Sequence, residues 1–221
     1  MQKLKIKIKE AIVLLITLLL PFSVSAAELK DVVDNLQMRY DKIKEFQADF
    51  SQEAVFKISQ MAEKGTGKVY IKKPDMMRWD YIKPRRQTII INKRDILIYL
   101  PDEKQVMKDK LPAGGVTPTT FISDVTRMRD DFNILLHKRN AGSGMHNLSL
   151  TPKKEGMNIK KVMLDVSEND YLILKLTITD LQDNVTTISF SNMKANAGVE
   201  DGLFAFKIPK GVEVIERQKA K

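Results

Sequence analysis

The chain of 221 residues contains no cysteine, only two histidines and a single tryptophan. The absence of cysteine excludes disulfide bonds, thiol nucleophiles and thiolate zinc sites. It also excludes the attachment of a lipid to a cysteine thiol. A fold built from this sequence must therefore be held together by its apolar core.

Recognisable catalytic motifs are also missing. There is no Gly-x-Ser-x-Gly elbow, and His137 and His146 lack the neighbouring carboxylates that a metal site would need. Gly65-Thr66-Gly67 does not end in Gly-Lys-Ser/Thr, so we interpret it as a turn and not as a phosphate loop. These features favour a binding protein over an enzyme, with no catalytic residue, no metal and no cofactor.

The formal net charge is +9, and the basic residues are scattered along the chain. The densest group is Lys83-Pro84-Arg85-Arg86. Because no aromatic stacking platform accompanies these charges, a solvated surface explains them better than nucleic-acid binding does.

The N-terminus has the pattern of a secretory signal peptide. Four lysines within the first nine residues precede an apolar run, Ala11–Leu20, and small residues follow it. The run is short against the roughly 20 residues that a membrane-spanning helix needs. We therefore expect residues 1–26 to be removed by cleavage after Ala26, leaving residues 27–221 as one exported, periplasmic domain.

Apolar residues recur at spacings of three and four from Leu29 to Phe46, which predicts an amphipathic helix. A second, short helix is predicted over residues 119–128. It starts at Thr117-Pro118 and places Phe121, Ile122 and Val125 on one side. Short strand-like segments separated by turns fill most of the remainder. They are residues 48–58, 67–72, 77–82, 88–91, 95–100, 105–110, 132–137, 145–150, 160–166, 171–179, 185–193 and 203–208.

About a dozen antiparallel strands in one domain should curl or close, because open twisted sheets rarely exceed about ten strands. The predicted fold is therefore mainly β with some α. We expect a single curled, incompletely closed antiparallel β-barrel, with the apolar sides of both helices buried on its concave face.

Several segments resemble the outer-membrane lipoprotein carrier (LolA) family. They are Phe46-Gln-Ala-Asp-Phe50-Ser-Gln52, the dipeptides Lys73-Pro74 and Arg78-Trp79, and a closing segment that runs from Phe204 to Ile215. The resemblance extends over essentially the whole chain after the signal peptide.

The resemblance implies that the two helices form a lid over a hydrophobic cavity. It implies a monomeric chaperone that binds the acyl chains of lipoproteins, with no nucleic-acid partner. Such a protein receives its cargo from an inner-membrane ATP-binding-cassette exporter and passes it to an outer-membrane receptor. The alternative is a periplasmic lipid-binding or regulatory protein of the same fold.

Trp79 and Tyr81 alternate with Arg78 and Asp80, so the two aromatic side chains share one face of a strand. That face is either ordinary sheet core or the wall of a cavity, and the sequence leaves both open. The resemblance also implies a latch between lid and sheet at Lys73, where the family commonly has arginine. The predicted acyl-chain contacts are Phe50, Val69, Ile71, Met77, Trp79, Tyr81, Ile89, Ile91, Phe121, Ile122 and Val125.

Overall fold

A computed structural model describes residues 24–111, 120–123, 125–137 and 142–216. The predicted signal peptide lies outside these residues except for its last three, which form the first turn of a helix. Cleavage after Ala26 therefore stays a prediction. Of the helices in these ranges, none combines the length and the apolar character needed to cross a membrane.

Helix α1 spans Val24–Lys42 and buries one stripe of its surface, which includes Val33, Leu36 and Tyr40. It ends before Phe46, so the prediction that the helix reaches this residue was wrong. Phe46 instead pairs with Ile71 on one side and Ala195 on the other. Its spacing continues the helical pattern, but these hydrogen-bonded neighbours are distant in sequence and outweigh the local periodicity.

Twelve strands form one sheet in the order β12-β6-β5-β4-β3-β2-β1-β11-β10-β9-β8-β7. All pairs are antiparallel except β12 with β6. Within the described residues, β12 and β7 remain at opposite edges, so the predicted mainly β, incompletely closed architecture is confirmed. The strands are β1 Glu45–Val55, β2 Ala62–Lys72, β3 Met76–Lys83, β4 Gln87–Asn92, β5 Asp95–Leu100, β6 Gln105–Lys110, β7 Phe132–Leu136, β8 Met145–Pro152, β9 Ile159–Ser167, β10 Ile173–Asp180, β11 Val185–Ala195 and β12 Glu213–Glu216.

The two glycines predicted to form a turn, Gly65 and Gly67, lie inside β2. The actual turn comes earlier and is closed by a 2.9 Å hydrogen bond from the Phe56 N–H to the Met61 carbonyl. Gly67 is required by close packing, since a Cβ atom there would stand 1.9 Å from the carbonyl oxygen of Asp80 on β3. The glycine pattern therefore marks a close approach between strands, which the sequence alone does not distinguish from a turn.

The predicted strand at residues 203–208 is also wrong. Asp201–Phe204 is a 3-10 turn, and the chain pairs again only at β12, which was not predicted. This segment packs across the face of the sheet that carries Arg78, which is opposite to the face that carries Trp79. There, Arg78 Nη1 donates to the Leu203 carbonyl at 2.9 Å, and the ring centroids of Phe206 and Tyr99 lie 5.0 Å apart. Phe204 is therefore buried, and Phe206 half-buried, by packing on the sheet without joining its hydrogen-bonded ladder.

The predicted mid-chain helix is a succession of short turns. Two 3-10 turns, Phe121–Ser123 and Val125–Arg127, lead into a single α-helical turn, α2, at Met128–Asp131. The predicted start at Thr117-Pro118 lies outside the described residues. Residues 120–123 and 125–131 are called the cap segment below.

Candidate binding site

The eleven predicted contact residues come together in one hydrophobic cluster. On the sheet they follow from strand register, because Val69 lies opposite Trp79, and Trp79 lies opposite Ile89. Nine of them are buried, whereas Tyr81 and Ile89 are half-buried against the others. We call this side of the sheet the inner face; α1 and the cap segment cover it.

An aromatic group occupies the middle of the inner face. The Phe50 ring centroid lies 4.9 Å from those of both Trp79 and Tyr81, and Phe190 lies 6.4 Å from Trp79. Trp79 is fully buried, and no described residue accepts a hydrogen bond from its indole Nε1. Phe190 was not among the predicted contacts, although its alternation with the buried Ile188 on β11 was a usable signal.

Helix α1 is fixed to the sheet near its C-terminus. The Lys73 ammonium donates to the carbonyl of Tyr40, and the Tyr40 hydroxyl accepts from the Ile173 N–H on β10 at 3.2 Å. Asn196 donates to the Lys42 carbonyl at 3.0 Å and accepts from the Lys44 N–H at 2.8 Å. Lys73 thus ties α1, not the cap segment, to the sheet. Partial burial lowers the pKa of Lys73, and full burial raises the pKa of Tyr40.

The cap segment is held by polar contacts with α1. Gln37 Nε2 donates to the Thr126 carbonyl at 2.7 Å, and Arg129 forms an ion pair with Asp34 at 2.5 Å. Hydrogen bonds from Lys30 and then Arg129 hold the pKa of the Asp34 carboxyl below its usual value. These residues were not predicted, because nothing local in the sequence indicates a contact between positions about 90 apart, such as Gln37 and Thr126.

Apolar packing completes the attachment of the cap segment, since Phe121, Ile122, Val125 and Met128 are all buried in the inner-face cluster. A cleft of about 390 Å³ follows the seam between α1 and the start of β7, and its lining includes Leu29, Arg129 and Phe132. The cap segment and α1 thus meet along a partly open seam.

The inner face is less tightly covered where β3 ends. Tyr81 donates from its hydroxyl to Gln52 Oε1 at 2.9 Å, and both residues are half-buried. Burial raises the pKa of Tyr81 to about 12.

The residues that the structure describes contain no group of three His, Asp or Glu side chains that could hold a metal ion. The arrangement is therefore suited to holding an apolar ligand.

A comparison with known families identifies the family of this chain. The family described as outer membrane lipoprotein carrier protein LolA matches residues 41–207, which is most of the chain. The chain belongs to the LolA family. The matched region begins near the end of α1 and includes the cap segment and β1 to β11.

Individual members of the LolA family align over most of their length. An outer-membrane lipoprotein carrier protein from Methylococcus capsulatus is 32% identical over 180 residues, which cover 80% of this chain and 83% of the relative. One from Actinobacillus succinogenes is 28% identical over 207 residues, covering 93% and 96%. The fold resembles that of an uncharacterized conserved protein from Thermus thermophilus, with a TM-score of 0.54 at 15% identity, covering 85% of this chain and 98% of that one.

Proposed function

We propose that this protein is a lipoprotein carrier that holds the acyl chains of its cargo against the inner face of the sheet. The observation that carries the proposal is a predominantly apolar inner face whose cover includes a short cap segment. The cap segment is attached by its packing, by its contacts with α1 and, at its C-terminal end, by hydrogen bonds from Lys153. The curated relatives are named for the same activity.

The energies are compatible with reversible loading. Exposing the four buried apolar side chains of the cap segment costs about 6–12 kcal/mol, at about 1.5–3 kcal/mol each. Each acyl methylene transferred from water to an apolar surface returns about 0.8 kcal/mol. One long acyl chain, of about 8–15 methylenes, would therefore offset the opening of the cap.

The anchoring contacts suggest which element moves. The C-terminal end of α1 is bonded to the sheet through Lys73, Ile173 and Asn196. The cap segment is tied to α1 by Gln37 and Arg129, and only its last turn is bonded, among the described residues, to Lys153 at the end of β8. We propose that α1 stays in place and that the cap segment opens to admit acyl chains. The predicted acyl contacts on β1 to β4 would then become accessible.

The cellular route follows from the same proposal. Residues 1–26 would direct export, and the mature chain would act in the periplasm. An inner-membrane ATP-binding-cassette exporter would load the cargo, and an outer-membrane receptor would accept it. An apolar cargo requires such a shielded route, because exposure of its acyl chains to water is strongly unfavourable.

Crosslinking the cap tests the proposal, and the cysteine-free sequence makes the labelling specific. Gln37→Cys and Thr126→Cys would be joined by a short, reducible bis-maleimide crosslinker. The mature protein would then be mixed with spheroplasts that hold a triacylated lipoprotein and the exporter. We expect the crosslinked protein to release no lipoprotein, and we expect reduction to restore a soluble one-to-one complex on gel filtration.

The matched control places the same crosslinker between β10 and β11, at Thr177→Cys and Thr187→Cys, which face each other in the sheet. This variant should load normally. Normal loading of the crosslinked cap variant would show that the cap is not the gate. Absence of a complex with the unmodified protein would reject the carrier function itself.

A further inference from the structure

A buried hydrogen-bond donor lies in the middle of the inner face without a partner among the described residues. It is the indole Nε1 of Trp79, a side chain that is fully buried. The rings of Phe50 and Phe190 pack against the indole and offer no polar acceptor. Buried N–H groups are nearly always hydrogen-bonded, because an unpaired one costs stability. An unpaired donor on a face suited to holding a ligand therefore points to an acceptor that the ligand supplies.

Two further polar side chains adjoin Trp79 on the inner face. Tyr81 lies two residues further along β3, at a distance of about 7 Å for strand geometry. Gln52 on β1 alternates with the solvent-facing Ser51 and lies on the same side as the buried Phe50. Tyr81 and Gln52 are both half-buried. The three polar groups thus run from the buried middle of the inner face to its less covered end.

The hydrogen bond between Tyr81 and Gln52 determines what this end of the inner face can bind. The Tyr81 hydroxyl donates to Gln52 Oε1 at 2.9 Å, and no described residue accepts from the two hydrogens on Gln52 Nε2. Gly65 leaves room for the tyrosine ring, since a Cβ atom there would stand 3.0 Å from Cδ1 of Tyr81. The hydrogens left for a ligand belong to Trp79 and Gln52, so a matching ligand must supply acceptors.

The ester linkage of an acyl chain has this chemistry. Its carbonyl oxygen accepts hydrogen bonds, and the linkage has no donor. When the chain leaves water for an apolar site, the carbonyl loses its hydrogen bonds to water, and a protein N–H can replace them. Apolar side chains alone hold the chain but leave the carbonyl unbonded.

We propose that Trp79 and Gln52 donate hydrogen bonds to the acyl-ester carbonyls of the cargo. The acyl chains would then lie deeper on the inner face, towards the buried Met77, and the polar part of the cargo would leave past Tyr81. This inference rests on the carrier function proposed above and adds that the linkage, and not only the chain, is recognised. It also fixes the direction in which the chains lie.

Two diacylated lipopeptides of the same sequence test the inference, one with hexadecanoyl esters and the other with hexadecyl ethers that lack the carbonyl. Binding to the mature protein would be measured below the concentration at which the lipopeptides form micelles. We expect the ester to bind about fivefold more tightly than the ether, which corresponds to one net hydrogen bond.

Nuclear magnetic resonance reports on the donor directly. Trp79 is the only tryptophan in the chain, so the protein has a single indole N–H signal. The ester lipopeptide should move this signal downfield, and the ether should not. Dipalmitoyl phosphatidylglycerol carries the same esters without a peptide. A downfield shift with both ester lipids would support recognition of acyl esters in general, and a shift with the lipopeptide alone would support recognition limited to lipoproteins.

Trp79→Phe removes the donor and keeps an aromatic ring, so the preference for the ester should disappear. Phe190→Leu is the matched control, because it disturbs packing against the same indole and removes no donor. It should weaken the binding of both lipopeptides by the same factor and keep the preference. The ratio of the two affinities, and not either affinity alone, is the quantity compared.

Gln52→Glu keeps an acceptor for the Tyr81 hydroxyl and removes the two amide hydrogens, so it should reduce the preference for the ester. Gln47→Glu makes the same change at a position that alternates with the buried Phe46 and Ala48, on the opposite face of β1. It should bind both lipopeptides as the unaltered protein does. Circular dichroism would verify the fold of every variant.

Equal binding of the ester and the ether by the unaltered protein, or an equal response of the indole signal to both, would overturn the inference and leave the carrier function intact. Loss of the preference in Phe190→Leu as complete as in Trp79→Phe would also overturn it, because packing would then explain the preference. Failure of both lipopeptides to bind would reject the carrier function itself, and this inference with it.

Discussion

The Trp79 side chain is well packed, yet its unpaired indole N–H reduces the stability of the fold. Its indole is fully buried between Phe50 and Phe190, yet none of the described residues accepts a hydrogen bond from Nε1. An unmade hydrogen bond of this kind costs about 1–3 kcal/mol when the donor is buried. The same donor would be available to a polar atom of a bound lipid.

Substituting Trp79 should therefore have an unusual effect on stability. We expect Trp79→Phe to change the free energy of unfolding by less than about 1 kcal/mol, because loss of packing is offset by removal of the unpaired donor. Trp79→Ala should cost about 3–5 kcal/mol, as for other large buried aromatic residues. Urea denaturation followed by circular dichroism gives both values. A loss above about 3 kcal/mol in Trp79→Phe would show that removal of the donor does not offset the loss of packing.

Lys73 anchors α1 through one hydrogen bond to the Tyr40 carbonyl. Lys73→Met removes that donor and should lower the free energy of unfolding by about 1 kcal/mol. Lys73→Arg keeps a charged donor in the same place and should stay within about 0.5 kcal/mol of the unaltered protein. Equal losses in the two variants would mean that packing of the side chain, and not its hydrogen bond, holds the helix.

At the scale of elements, β2 and β3 approach more closely than side chains on both strands would allow. Gly67 faces the Asp80 carbonyl, and the register between the two strands shifts between Thr66 and Gly67. An irregularity of this kind bends the sheet. The glycine thus contributes to the curvature that lets one helix and a short cap cover the inner face.

Gly67→Ala should be strongly destabilising, because the new methyl group would stand 1.9 Å from a backbone oxygen that cannot rotate away. We expect a loss of about 2–4 kcal/mol in the free energy of unfolding, measured by thermal or urea denaturation. Gly202→Ala is the matched control, since nothing lies within 4 Å of a Cβ atom there. A cost in Gly67→Ala no greater than in Gly202→Ala would contradict the close approach of the strands.

For the whole molecule, buried tyrosines should limit stability in alkali. Burial raises the pKa of Tyr81 to about 12 and raises that of Tyr40 further, so both stay protonated in the folded state above pH 10. The unfolded chain releases these protons near pH 10, and folding is therefore disfavoured as pH rises beyond that value. Each such tyrosine makes the free energy of unfolding fall by about 1.4 kcal/mol per pH unit until its folded pKa is reached.

Tyr81→Phe should remove the contribution of Tyr81 to this decrease in the free energy of unfolding at high pH. Between pH 10 and pH 12 the variant should lose about 2–3 kcal/mol less than the unaltered protein, when urea denaturation is measured at each pH. At pH 8 the variant should be slightly less stable, because the hydrogen bond to Gln52 is gone. Parallel profiles for the two proteins would show that Tyr81 ionises in the folded state at its ordinary pKa.

The sequence by itself determined most of the elements. The apolar stripe that includes Val33 and Leu36 predicted α1, and the alternation around Trp79 and Tyr81 placed the inner-face residues on one side of a strand. These patterns can be recognised because helices and strands repeat their side-chain directions at fixed short periods. The number of strands then implied a curled sheet before any pairing was known.

Only the tertiary structure decided what depends on residues distant in sequence. Phe46 belongs to β1 because β2 and β11 pair with it, and Gly67 lies within a strand because the backbone of β3 approaches it. The contacts of the cap segment with Gln37 and Asp34 likewise arise only when the sheet assembles. Local periodicity is a property of neighbouring residues, whereas strand order and close approach are set by packing over the whole chain.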